Sequence, residues 1–337
     1  MTIGRGAAIF GCAGPVLLAQ EADFFRDYDP FGFIIFARNV ETPDQLRRLT
    51  ADLRAAVGRD APILIDQEGG RVQRLCAPHW RDWQPPLDTV AHAGAQAVRV
   101  MALRSMIIAA ELRAVGIDAN CAPVADIASA ATHPFLRNRC YGSDAQTVIA
   151  IARAVADAHL AMGVLPVVKH LPGHGRATAD THHDLPTVTA DLTDLTASDF
   201  APFRALNDLP MAMTAHIIFA AVDATRPATQ SPDMIKIIRD VIGFAGLLMT
   251  DDLNMNALSG DLADRTARSI AAGCDIALHC KGDLAQMMAV ATAAGDMSAG
   301  ASRRASQALA RRAAPLAVDI AALEAEFLHA MEQGAHG

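Results

Sequence analysis

The chain has 337 residues, 52% of them hydrophobic, enough for one large domain or two small ones around a sizeable core. Its formal net charge is −8, with no long run of either sign. That argues against a broad nucleic-acid surface and leaves room for a small anionic ligand held by a few local arginines. In chain order, the first apolar stretch runs from Ala7 to Ala19 behind Arg5 and imitates a signal peptide. Gly11, Gly14 and Pro15 break it, so a cytoplasmic protein is expected. The strand AAIFGC (7–12) lies inside that stretch. GFIIFA (32–37), PILID (62–66), DANCAPV (118–124), VLPVVKH (164–170), PMAMTAH (210–216), GLLMTD (246–251) and CDIALH (274–279) follow. Each is short and nearly continuous in apolar residues, as strands buried on both faces are.

Helices are expected between these strands. Leu46, Leu49, Leu53 and Val57 follow helical spacing; Thr42 with Gln45 resembles a capping box, Pro43 suits the first helical position, and Gly58 suits the stop. Ser143 with Gln146 makes a second capping box for a helix ending by Gly163. Ser231–Pro232 opens another that stops at Gly243, and 261–272 is a helix ended by Gly273. Beyond about residue 300 the chain is alanine-rich and expected to be helical. Eight strands with interleaved helices predict an α/β fold, a (β/α)8 barrel of the TIM type. A doubly wound sheet is the alternative, weakened because no G-x-G-x-x-G follows a strand. No stretch holds the ~20 consecutive apolar residues of a membrane span. The six cysteines include no C-x-x-C pair, which speaks against a zinc ribbon; most read as small core residues in a reducing compartment.

Asp66, Lys169, His170, His216 and Asp251 all fall at the carboxyl ends of predicted strands, the rim where a barrel builds its active site. In LLMTDDLNM (247–255) an apolar strand runs straight into Asp251 and Asp252. Either could be a helix cap, the reading that suits Asp252. Asp251 suits a carboxylate at the floor of a cleft, a nucleophile in glycoside chemistry. In DQEGGRVQR (66–74), Asp66 ends a strand and Gly69–Gly70 permits a tight turn. A carboxylate with Arg71 or Arg74 could hold vicinal sugar hydroxyls or form a structural ion pair. Glu68 reads as structural. In HPFLRNRCYG (133–142), Arg139 is a candidate ligand donor and Arg137 a solvated charge, while Asp126 reads as a brace for the rim.

The stretch VVKHLPGHGRATADTHHDLP (167–186) carries four of the twelve histidines. Lys169 and His170 end a strand, PGHG forces a turn, and Asp180 with His182 at i, i+2 makes a proton-transfer unit. The loop from Pro172 to Pro186 is expected to move and to offer little to bury. Its H-x3-H spans a Pro-Gly turn rather than a helix face, so no metal is expected. The absence of a G-K-[ST] ending argues against a phosphate cradle.

Taken together, KHLPGHG with ADTH, DQEGGRVQR and MTDDLNM resemble the β-N-acetylhexosaminidases of glycoside hydrolase family 3, from about residue 7 to 295. The resemblance implies a single catalytic barrel domain over 1–337. It implies a retaining hydrolase that removes terminal N-acetylglucosamine from small peptidoglycan fragments in the cytoplasm. By matching motif positions it implies Asp251 as nucleophile, His182 as acid/base and Asp180 as its assistant. It places Asp66, Arg74, Arg139, Lys169 and His170 on the sugar, and it alone chooses Arg74 over Arg71. No cofactor, metal, nucleic acid or membrane is implied, and a monomer is expected. Leu171 stands where the family usually has Phe, Cys140 where it has Ser, and THHD carries an extra His. The alternatives are a metal-dependent barrel hydrolase, a non-catalytic sugar-binding barrel and a phosphorolytic variant of the same enzyme.

Overall fold

The computed structural model describes residues 2–178 and 185–335. Eight parallel strands close into a barrel: β1 (Gly6–Gly11), β2 (Pro30–Ile35), β3 (Ile63–Ile65), β4 (Ala119–Asn120), β5 (Leu165–Leu171), β6 (Met211–Thr214), β7 (Leu247–Asp252) and β8 (Ile276–His279). Each pairs with its sequence neighbours, and Ala8 opposite Ala277 joins β1 to β8 and closes the ring. All eight predicted strands are present, and the (β/α)8 architecture is the one expected. Outside the ring, Thr187–Val188 pairs with Ile218–Phe219 in a small parallel ladder.

The continuous apolar runs have a simple cause. Successive side chains on a strand point to opposite faces, and here both faces are dry. Ile9, Ile34, Leu64, Val167, Met211, Leu247 and Ile276 fill the barrel interior. Their neighbours Phe10, Phe33, Ile63, Val168, Ala212 and Leu248 face the surrounding helices. The alanine-rich tail forms two helices, Ala299–Ala310 and Ile320–Ala335. Ala305, Ala308 and Leu309 of the first join the interior cluster and plug the N-terminal end of the barrel.

Local signals did most of the punctuation. Thr42 caps Pro43–Val57 by accepting from Gln45 N at 3.2 Å, and Gly58 ends the helix at φ 63°. The Gln45 carboxamide reaches back to Glu41 N, not to Thr42, so the box closes one residue early. Ser231 caps Pro232–Asp240, and Gly273 ends Leu262–Ala272. The second capping box is a correction: Asp144, not Ser143, caps Ala145–Ala161, with its carboxylate 2.9 Å from Thr147 N. Pro86–Ala114 has the length and mean hydropathy of a membrane span. It is nevertheless interrupted at Gly94, buries Arg104, and packs against helices 145–161 and 320–335.

Candidate active site

The strand ends at the C-terminal rim surround a cavity of about 130 Å³, lined by Asp66, Arg74, Arg139, Lys169, His170, His174, Asp251 and Asp252, with Ile34, Phe36, Met213, Met255 and Leu278 among its apolar walls. The loop after β3 supplies its first wall. Glu68 N and Gly69 N both donate to the Val72 carbonyl, at 2.9 and 3.1 Å, which folds the chain back on itself. Gly69 sits at φ 101°, and a Cβ there would meet the Arg104 guanidinium at 1.8 Å, so only glycine fits. Arg104 in turn donates to the Glu68 carbonyl at 2.7 Å. Buried Gln67 accepts from Arg74 N and Leu75 N, at 2.9 and 3.0 Å. Those bonds bring Arg74 back beside Asp66, with Nη2 3.0 Å from Oδ2.

Strand β5 supplies the second wall. Successive residues of a regular strand cannot face one way, yet Lys169 and His170 both line the cavity. The ladder to β6 explains it: Val168 pairs with Ala212 and Leu171 with Thr214, so β5 carries one extra residue, a bulge at this point. Lys169 Nζ then lies 2.8 Å from Asp66 Oδ1 and 2.6 Å from Glu68 Oε1. Arg139 grips Glu68 with two bonds of 2.9 and 2.8 Å. His170 Nδ1 is 2.7 Å from Asp126 Oδ2, while Asp126 Oδ1 accepts from His174 N at 2.7 Å. The result is a chain of alternating charge from Arg74 through Asp66, Lys169 and Glu68 to Arg139, with Asp126 holding the histidines behind it.

Burial opposes ionisation of Asp66 and Glu68, but their cations outweigh it. Lys169 and Arg74 hold the Asp66 carboxyl well below the usual range, and Arg139 and Lys169 do the same for Glu68. Burial also works against the Lys169 ammonium, and Asp66 and Glu68 overcome it and raise its pKa. Burial and then the neighbouring His170 push His174 down to about 4, so its ring is neutral at pH 7.

Strand β7 forms the floor. Its ladder to β8 matches Ile276 with Met249 and Leu278 with Asp252, again one residue longer on one side. That bulge lets Asp251 and Asp252 both reach the cavity. Asp252 is pinned: its Oδ1 accepts from Asn254 N at 3.1 Å and Cys280 N at 3.2 Å. Among the described residues, the Asp251 carboxylate accepts one hydrogen bond, from Asp252 N at 2.8 Å. Burial would raise its pKa, but His216, His170, the Asp252 N–H and Lys169 lower it, so it stands ionised.

The structure thus brings together six of the eight candidates, Asp66, Arg74, Arg139, Lys169, His170 and Asp251. Asp180 and His182 lie outside the described residues, as does the centre of the 172–186 loop. The first part of that loop corrects the expectation that it has little to bury. Pro172–Gly175 is buried, and a Cβ on Gly175 would strike the Ile127 carbonyl at 1.9 Å. Arg71 is exposed and lies over the Phe135 ring at 4.0 Å, so it takes no part in the cavity. Asp126 braces the rim as read, and Glu68 is the hub of the ion network. Gln67 and Asn120 carried no sequence signal; both are buried polar residues, Gln67 holds the loop at Arg74–Leu75, and the bonds that join the two residues span distant parts of the chain.

Fold and cavity together define an α/β-barrel enzyme. Residues 19–311 match the glycosyl hydrolase family 3 N-terminal domain. A beta-hexosaminidase from Bordetella avium is 35% identical over 283 residues, 82% of this chain and 80% of that protein. One from Methylococcus capsulatus is 37% identical over 281 residues, 81% of this chain and 82% of that protein. The crystal structure of NagZ from Neisseria gonorrhoeae superposes with a TM-score of 0.83 at 29% identity, covering 99% of this chain and 98% of that one. A second structure of that protein, in complex with N-trifluoroacetyl-D-glucosamine, gives 0.82 at 30% identity, over the same shares of the two chains. The chain belongs to glycosyl hydrolase family 3.

Proposed function

We propose that the protein is a retaining β-N-acetylglucosaminidase that removes terminal N-acetylglucosamine from small peptidoglycan fragments. The observation that carries the reading is the asymmetry of the cavity: an ionised carboxylate that accepts a single hydrogen bond among the described residues, Asp251, faces a wall of paired cations and carboxylates. Such a wall presents donors and acceptors at fixed positions, which is what a sugar's hydroxyls require. Asp66, Arg74, Arg139, Lys169 and His170 hold the terminal sugar. Asp251 attacks the anomeric carbon, the bond to the leaving oxygen breaks, and a glycosyl ester forms on the carboxylate. His182, assisted by Asp180, gives its proton to the leaving oxygen and then takes one from the water that cleaves the ester. A histidine suits both halves because its ordinary pKa lies near neutrality. The family resemblance and the sugar in the relative's complex support N-acetylglucosamine as the substrate unit.

The test compares chromogenic N-acetylglucosaminides with glucosides. Preference for the first is expected, with activity surviving exhaustive chelation. Loss of activity on chelation would revive the metal-dependent reading. A product that becomes the sugar 1-phosphate when phosphate is added would make the enzyme a phosphorylase. His182→Ala should spare substrates with very acidic leaving groups and cripple those with ordinary sugar leaving groups. An equal loss on both would make His182 a binding residue.

A further inference from the structure

His216 is the rim residue that the proposed reaction leaves without a task. It lies two positions beyond β6, fully buried, beside the floor of the cavity. Its Nε2 is 3.1 Å from the Asp252 carbonyl oxygen and its Nδ1 2.8 Å from Thr229 Oγ1. A carbonyl only accepts, so Nε2 carries the hydrogen and donates it. Burial lowers the His216 pKa and favours a neutral ring, in which Nδ1 is the acceptor. Thr229 Oγ1 is in turn 2.9 Å from Thr214 Oγ1 and 3.0 Å from the Ala215 carbonyl. The single Thr229 proton therefore has three acceptors in reach, Nδ1, the Ala215 carbonyl and Thr214 Oγ1. All three belong to residues 214–216, so each of these bonds ties that segment to Thr229.

The other end of this chain of bonds reaches the nucleophile. The N–H of Asp252 is the group that orients the Asp251 carboxylate, at 2.8 Å from Oδ1. The carbonyl of the same residue is held by His216, and its side chain by Asn254 N and Cys280 N. Asp252 closes the bulge in β7: it stands opposite Leu278, and residues 250–251 just before it, Asp251 among them, are out of the regular ladder. A backbone released from its ladder needs other restraints to keep one conformation, and an attacking oxygen tolerates little displacement.

We propose that His216 is a positioning residue for the nucleophile: it clamps the Asp252 peptide, whose N–H aims the Asp251 carboxylate. The inference rests on Asp251 being the nucleophile of the proposed glycosidase. Thr229 belongs to the clamp, since it holds the ring from its far side, and Thr214 holds Thr229 in turn.

Full-length His216→Ala, His216→Gln and His216→Asn are assayed for kcat and KM on p-nitrophenyl N-acetylglucosaminide, with Tm recorded for each. Glutamine places its amide N–H where Nε2 stood, and asparagine places its own where Nδ1 stood. Alanine should lower kcat about 100-fold with KM changed only a few-fold, the loss expected from a misplaced reacting group. Glutamine should recover most of that loss and asparagine little of it. Equal kcat for glutamine and asparagine, or losses that track Tm alone, would overturn the clamp. Should the buried His216 variants not fold, Thr229→Val removes the support at Nδ1 at almost constant volume. It should lower kcat by about tenfold on the same argument from misplacement, and an unchanged kcat would overturn the proposal. No turnover by the unmodified protein would bring down the glycosidase reading and the clamp together. Turnover without the glutamine–asparagine contrast would bring down the clamp alone.

Discussion

At the N-terminal end of the barrel, Asp118 opens β4 and Asp275 opens β8. Asp118 accepts from Ile63 N at 2.8 Å and from Arg54 at 2.9 Å, and also pairs with Arg312. Asp275 accepts from Leu248 N at 3.0 Å, from Arg239 at 2.8 Å and from Arg304 at 2.9 Å. At the opposite end Asp251 is also an aspartate on a strand, yet among the described residues it accepts one bond. A carboxylate has about four acceptor sites. The lower pair spends them fastening a strand to its neighbour and to an outer helix. Among the described residues, Asp251 has only one of them filled. Burial does not separate the two structural aspartates from the proposed nucleophile; the number of bonds each accepts among the described residues does.

The contrast is sharpest at Asp251 itself. Asp251→Asn should cost at least about a thousandfold in kcat while Tm holds or rises, because the amide oxygen can still accept from Asp252 N and no charge need be buried. A labelled adduct from a 2- or 5-fluoro sugar should map to Asp251; mapping to Asp252, or a fall in Tm with Asp251→Asn, would erase the distinction. Asp275→Ala should do the reverse, costing about 1–3 kcal/mol of stability by leaving the buried Leu248 N–H without its acceptor and the half-buried Arg239 and Arg304 guanidiniums without their carboxylate. The kcat/KM of the protein that remains folded should be unchanged, as urea titration with parallel assays would establish.

Arg74→Ala tests the middle ground. Asp66 keeps Lys169 as a partner, so folding should survive, while kcat/KM falls about 10- to 100-fold, the range for one charged hydrogen bond. A protein that unfolds with unaltered residual kinetics would make Arg74 a structural ion-pair partner after all. The smallest effect belongs to Asp252. Burial chiefly, and then Asp251, push its carboxyl up to about 6. Its protonated form is favoured by folding, so that contribution to stability is complete below the ordinary carboxyl pKa of ~4 and is lost as pH rises through about 6. Asp252→Asn should abolish this decline in Tm between pH 4 and 7, and a parallel decline in the variant would place its origin elsewhere.

The sequence carried the strands well because a strand buried on both faces writes itself as an unbroken apolar run, as in GLLMTD and PMAMTAH. It carried Asp251 and Lys169 because a charge at the end of such a run has no ordinary place in a core. It could not carry the bulges at 169–170 and 250–251. These are properties of register between two strands, and they decide that consecutive polar residues face the same cavity. Nor could it carry the pairing of Glu68 with Arg139 or of Asp126 with His170, each joining loops distant in sequence. The choice between Arg71 and Arg74 was likewise invisible locally, because Gln67 makes it by gripping the backbone at Arg74–Leu75.

The closure of the ring has a consequence for how the protein is made. β1 leaves the ribosome well before β8 (Ile276–His279), which is one of its two partners. At about 5–20 residues per second, the open edge of β1 waits on the order of ten seconds or more for that partner. Throughout that interval its N–H and C=O groups form a template for any other nascent strand, including that of a neighbouring copy. Expression conditions that slow elongation between β1 and β8 should therefore shift the yield from folded enzyme towards aggregate.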